Sequence, residues 1–132
     1  YIKYHKGWFT DTMPKNKIKK ISLLRIDADW YASTKICLDY LAKSVVKNGF
    51  IIIDDYGAYD GCKKAVEEYF KRKYYFHRVN QDIIYIQLWL FGNGRVITIF
   101  IHNLIKSQNI ILVNGGEQGS PESNWGLKLV LR

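Results

Sequence analysis

The chain has 132 residues, 48% of them hydrophobic, with 20 Lys plus Arg against 12 Asp plus Glu and a formal net charge of +8. That balance, with only two prolines, excludes a disordered, collagen-like or mucin-like chain and fits one folded domain with a real core. The best stretch for a membrane span is broken by Arg95, His102, Asn103 and Lys106, and no charged n-region with an apolar h-region follows Tyr1, so neither membrane passage nor secretion is expected.

In chain order, Ile21 to Ile26 (ISLLRI) is a short apolar run that stops at Asp27, the pattern of a buried strand. A helix is expected from Ser33-Thr34 onward, because Ile36, Cys37, Tyr40, Leu41, Ser44 and Val45 recur at three- and four-residue spacing. Asn48-Gly49 is expected to end that helix with a residue able to take positive φ. Phe50 to Ile53 is continuously apolar and halts at Asp54-Asp55, which reads as a strand covered on both faces. A second helix is expected near Gly61 to Lys73, with Cys62, Ala65, Val66, Tyr69 and Phe70 inward. Two further strands, Tyr75–Val79 and Ile83–Leu88, turn at Asn80-Gln81-Asp82. Beyond them Arg95 to Ile101 and Ile110 to Val113 read as strands, and Ser120-Pro121-Glu122 as a helix start.

Strand and helix in alternation predict an α/β fold, a mostly parallel sheet with an antiparallel edge. In such sheets ligands sit outside the carboxyl ends of the strands. Both acidic clusters, Asp27/Asp29 and Asp54/Asp55, fall there. Four like charges at one edge call for a counter-charge, and a hard divalent cation such as magnesium or calcium suits oxygen ligands. The plainer alternative is that each Asp caps the turn or helix that follows it. His5, His77 and His102 stand apart, so no zinc-type cluster is expected. Cys37 and Cys62 lack CxxC spacing and suit reduced thiols in a cytoplasmic protein.

The basic residues form two clusters, Lys15, Lys17, Lys19 and Lys20, and then Lys63, Lys64, Lys71, Arg72 and Lys73. With ten tyrosines and four tryptophans they open the alternative of a nucleic-acid-binding module. No recognised nucleic-acid motif accompanies them, and Glu67 and Glu68 share the second cluster's helix, so nucleic acid is not the expected partner.

Gly7-Trp8-Phe9, Thr12-Met13-Pro14, Leu24-Arg25-Ile26-Asp27-Ala28-Asp29-Trp30-Tyr31 with Ser33-Thr34, Gly49 through Tyr56, and Gly61-Cys62-Lys63-Lys64-Ala65-Val66 together resemble the macrocin O-methyltransferase family. The resemblance runs in order from about Lys6 to Leu88. It implies a partial Rossmann-like methyltransferase sheet of class I and S-adenosylmethionine as cofactor. It further implies magnesium or another divalent cation, and methyl transfer to a hydroxyl of a glycosylated small molecule. Carried over residue by residue, it makes Asp27, Asp54 and Asp55 the metal ligands and Asp29 the general base. Gly7 and Trp8 border the cofactor, and Asp27 stands with them on the cofactor side. Asp27 and Asp54 lie 27 residues apart, as a crossover through one helix requires. Position 28 is Ala and position 30 is Trp where Leu is common, so the pocket wall is expected to differ in shape.

A methyltransferase of this kind also needs a strand with a Gly-rich turn and an acidic residue for the ribose, and neither precedes Lys6. The chain is therefore expected to be the carboxyl-terminal half of such an enzyme, inactive alone, with the amino-terminal half missing. Residues 1–88 would form that half and 89–132 a tail of unassigned role; the complete enzyme could be oligomeric. An open edge beside Ile21–Ile26 is expected to follow. Asn114-Gly115-Gly116-Glu117-Gln118-Gly119 reads as a glycine turn, or as a displaced cofactor loop lacking the first glycine of its pattern. A catechol-type O-methyltransferase, which uses a similar metal site on aromatic diols, is the alternative enzyme.

Overall fold

Three strands that end in or beside acidic or amide residues form the middle of the sheet. The computed structural model describes residues 2–15, 17–71, 74–88, 109–114 and 126–131. In chain order the strands are β1 (Ile2–Lys6), β2 (Ile21–Asp27), β3 (Val45–Ile53), β4 (Phe76–Arg78), β5 (Ile84–Gln87), β6 (Asn109–Asn114) and β7 (Gly126–Leu131). The helices are α1 (Phe9–Thr12), α2 (Tyr31–Leu41) and α3 (Asp60–Phe70), with a 3-10 turn at Ala42–Ser44. All seven strands join one sheet in the order β1-β7-β6-β2-β3-β5-β4. The pairs β2–β3 and β2–β6 are parallel, and β5 and β7 run against the other five strands. This is the expected α/β sheet, parallel at its centre and antiparallel toward its edges.

Burial alternates along the central strands, which decides how the sheet is covered. Leu24, Ile26, Ile51, Ile53, Ile84, Ile86, Ile111 and Val113 are buried and share a core with Cys37, Leu38, Leu41, Cys62, Val66 and Phe70 of α2 and α3. The intervening residues Leu23, Arg25, Ile52, Tyr85 and Leu112 are only half-buried. Phe50–Ile53 was read from its apolar run as covered on both faces. Among the described residues, α2 and α3 cover one face, and the aromatic Phe50–Tyr85 contact (5.9 Å) lies on the other.

Other boundaries moved for local reasons. α2 stops at Leu41, because Val45 is drawn into β3 opposite Ile21 and Ser44 Oγ donates to the Ile18 carbonyl at 2.7 Å. The register then jumps to Leu23 opposite Phe50, so residues 46–49 form an irregular insertion. Within it Asn48 takes φ 63°, and its N–H donates to the Leu88 carbonyl. The anticipated positive φ thus serves a bulge and not a helix end. The β4–β5 turn is closed as anticipated by Asn80, whose Oδ1 accepts from the N–H groups of Asp82 and Ile83.

The edge of Ile21–Ile26 is not open. β6 lies parallel beside it, pairing Leu23 with Ile110 through Asp27 with Asn114. The strand anticipated at Ile110 to Val113 therefore occupies the position left vacant in the sequence reading. β7 then bridges to β1, which pairs Ile2 with Val130 through Lys6 with Gly126. The anticipated strand at Arg95 to Ile101, the glycine turn after Asn114 and the helix start at Ser120 lie outside the described residues. Cys37 and Cys62 are free and buried; burial pushes both thiols up, that of Cys62 to about 11, so neither is a ready nucleophile at neutral pH.

Candidate active site

The acidic residues gather where parallel strands release the chain. Asp27 ends β2, and the chain then makes a tight turn in which the Trp30 N–H donates to the Ala28 carbonyl at 2.5 Å. Asp29 sits in that turn at φ 35° and is 9% exposed. A non-glycine residue at positive φ stores strain, which Asp tolerates better than bulkier residues. Ser33 ties the turn to α2, its hydroxyl donating to the carbonyls of Ala28 and Trp30. Asp55 reaches across from the end of β3. Its Oδ2 accepts the backbone N–H groups of Ala28 (3.1 Å) and Asp29 (3.4 Å).

Three carboxylates result, Asp27, Asp29 and Asp55, each offering an oxygen within 4.8 Å of the others. Burial raises the pKa of Asp27 above the ordinary aspartate value of 3.8, opposed by Arg25 and reinforced by Asp55 and Asp54. Asp55 is raised first by burial and then by the charge of Asp29, against the two backbone N–H bonds. A crowded, half-buried set of hard oxygen donors with no soft ligand fits a magnesium- or calcium-type ion.

Asp54 is engaged differently. Its Oδ2 contacts Nη2 of Arg25, and the same nitrogen lies 3.1 Å from Asp27 Oδ2. Of the ligands carried over from the resemblance, Asp27 and Asp55 are therefore together, Asp29 stands with them, and Asp54 is held by Arg25. Arg25 was the residue missed. Its signal was present in the sequence: a lone cation in an apolar strand, two residues before Asp27 and so on the same face.

Gly7 and Trp8 lie just after β1. Lys6, Gly126, Asn114 and Asp27 share one register row across four adjacent strands. Gly7-Trp8 thus leaves the same sheet edge as Asp27, three strands away, or about 14 Å at the usual spacing. Gly7 takes φ 138° and the Trp8 ring is exposed, while its carbonyl caps α1 by accepting from Asp11 and Thr12. Beside the carboxylates, the exposed rings of Trp30 and Tyr59 stand 6.0 Å apart, and the Tyr59 N–H donates to the Asp55 carbonyl.

A family model for macrocin-O-methyltransferase (TylF) matches residues 1–90. The chain belongs to the macrocin O-methyltransferase family. Relatives in this family include the 8-demethyl-8-(2,3-dimethoxy-alpha-L-rhamnosyl)-tetracenomycin-C 4'-O-methyltransferase of Streptomyces olivaceus, 40% identical over 68 residues (52% of this chain, 26% of the relative). The demethyldecarbamoylnovobiocin O-methyltransferase of Streptomyces niveus is 41% identical over 68 residues, with the same coverage. The mycinamicin III 3''-O-methyltransferase of Micromonospora griseorubida is 35% identical over 85 residues (64% of this chain, 32% of the relative). The solved structure of the O-methyltransferase NovP superposes with a TM-score of 0.61 at 37% identity, over 64% of this chain and 36% of that one. The chain thus spans about a third or less of the length of the curated relatives it matches. Members of this family are S-adenosylmethionine-dependent O-methyltransferases.

The Gly61 of the family-like Gly-Cys stretch has a local reason. A Cβ there would lie 2.9 Å from the Tyr31 backbone nitrogen, where the start of α3 passes that of α2, two residues after Asp29. Backbone cannot yield cheaply, so Gly61→Ala is expected to cost about 1–3 kcal/mol. It should also displace the Asp29 turn. Urea denaturation checks the first expectation; an unchanged midpoint would show that the two helices separate freely.

Proposed function

We propose that this chain supplies the metal-binding and acceptor side of an S-adenosylmethionine-dependent O-methyltransferase that acts on a sugar hydroxyl of a glycosylated small molecule. The observation that carries the reading is the convergence of Asp27, Asp29 and Asp55 at the carboxyl ends of the parallel central strands. The relatives from Streptomyces olivaceus and Micromonospora griseorubida, named as O-methyltransferases of glycosylated compounds, support the substrate class. Two free, buried thiols suit a reducing cytoplasm.

Asp27 and Asp55 would hold a divalent cation, with Asp54 the further ligand that the family resemblance implies. When bound, such a cation lowers the pKa of a coordinated hydroxyl and fixes its orientation. S-adenosylmethionine supplies the electrophilic methyl group, and Gly7-Trp8 would border it. The chain's own residues do the rest. Asp29, held at the turn by its neighbours, accepts the hydroxyl proton on a carboxylate oxygen. Asp55 keeps the turn in place through its two backbone bonds. Trp30 and Tyr59, their rings tilted 44° to each other, give an apolar wall against which a sugar ring or aglycone packs.

Magnesium titration of the chain, followed by calorimetry, tests the reading. Asp27→Asn is expected to weaken binding strongly. Asp29→Asn, which suits positive φ as well as Asp does, should retain most of the affinity while lowering kcat in a methyl-transfer assay with a glycoside acceptor. Equal magnesium affinity in wild type and Asp27→Asn would sink the metal assignment.

A further inference from the structure

One guanidinium nitrogen serves two carboxylates from adjacent strands. Arg25 Nη2 meets Asp27 Oδ2 and Asp54 Oδ2 at once. The site is half-open to solvent, with side-chain exposures of 35% for Arg25, 25% for Asp27 and 15% for Asp54. The pairing is fixed by the sheet. Arg25 and Asp27 point to one face of β2, and the Asp54 N–H donates to the Ile26 carbonyl at 3.0 Å, which sets Asp54 beside them. Four carboxylates at one edge repel one another, and Arg25, in contact with two of them, offsets one of the four negative charges. A divalent cation is attracted by the same oxygens. The guanidinium and the cation therefore compete for Asp27 and Asp54.

We propose that Arg25 is a positioning residue that engages Asp54 together with Asp27 while no cation is bound, and gives both carboxylates up when a divalent cation enters. The inference rests on the metal-binding reading above. It accounts for two ligand sets that differ by one residue: the gathered Asp27, Asp29 and Asp55, and the set with Asp54 that the family resemblance implies. Whatever stabilises the cation-free arrangement lowers the apparent affinity for the cation, because loading must first break it. Arg25 thus tunes cation affinity downward while protecting the empty site from self-repulsion.

Arg25→Gln tests this. Without cation, its thermal midpoint is expected to fall below that of wild type. Its magnesium dissociation constant by calorimetric titration is expected to drop about two- to fivefold, the scale of a half-exposed ion pair converted to affinity. Arg25→Lys keeps the charge but replaces the rigid, planar guanidinium with a flexible ammonium, so its affinity should fall between the two. A double-mutant cycle with Asp54→Asn should show coupling in the thermal midpoint without magnesium and little at saturating magnesium. Wild type that binds magnesium while Arg25→Gln binds it equally or more weakly overturns the role of Arg25 and leaves the metal reading standing. Wild type that binds no magnesium at millimolar concentration overturns both.

Discussion

Asp55→Asn is expected to raise the thermal midpoint of the cation-free chain at neutral pH and to abolish its stabilisation by magnesium. The first effect follows from the sign of the shift. Burial and the charge of Asp29 raise the Asp55 pKa in the folded chain. A raised carboxyl favours folding while it is protonated, and that contribution is lost as pH climbs through the folded value. At pH 7 the charged form is a burden, which the neutral asparagine removes while its Oδ1 still accepts from Ala28 and Asp29. The second effect is larger. A cation at about a hundred times its dissociation constant adds about 2.7 kcal/mol to stability, and losing a charged ligand removes most of that. Thermal melts of both proteins with and without magnesium decide the matter. Equal magnesium shifts in the two would exclude Asp55 as a ligand. The same raised values for Asp27 and Asp55 predict that cation affinity falls on acidification while ordinary exposed carboxylates are still ionised, since protons compete for the same oxygens.

The parts of this site legible in the sequence are those set by local chemistry. Apolar runs that stop at Asp27 and at Asp54 marked two strand ends, and the spacing between them required a crossover. Those two facts alone placed the acidic residues on one edge. The amphipathic pattern of Cys62, Ala65, Val66 and Phe70 marked α3, and Asn80 marked the hairpin. What escaped depends on pairing between distant segments. β1 has the sequence IKYHK and is exposed along most of its length, so nothing but its ladder with β7 makes it a strand. The end of α2 was set by the claim of β3 on Val45, a register effect that helical periodicity does not contain. Asp54 was legible as a carboxylate at a strand end, but its engagement by Arg25 required knowing which residues of β2 stand beside it.

Ile111→Ala is expected to destabilise the chain by about 2–5 kcal/mol, the usual range for emptying a fully buried isoleucine. Ile111 is 0% exposed and lies in register with Leu24 on one side and Leu129 on the other. It is thus a central core position in a segment that composition alone leaves without a role. For a domain whose total stability is typically about 5–15 kcal/mol, the change removes a large share. Leu112→Ala, on the half-buried face of the same strand, should cost distinctly less, which separates core packing from strand propensity. Urea denaturation with both variants gives the comparison, and hydrogen exchange at residues 110–113 reports whether the strand is protected. A change within about 0.5 kcal/mol for Ile111→Ala, the ordinary range for a surface site, would show that β6 does not close the edge of β2. The consequence reaches the site, because Asn114 at the end of β6 is the register partner of Asp27. If β6 is the strand that pins Asp27 from its open side, loosening it should weaken magnesium binding even though Ile111 touches no ligand.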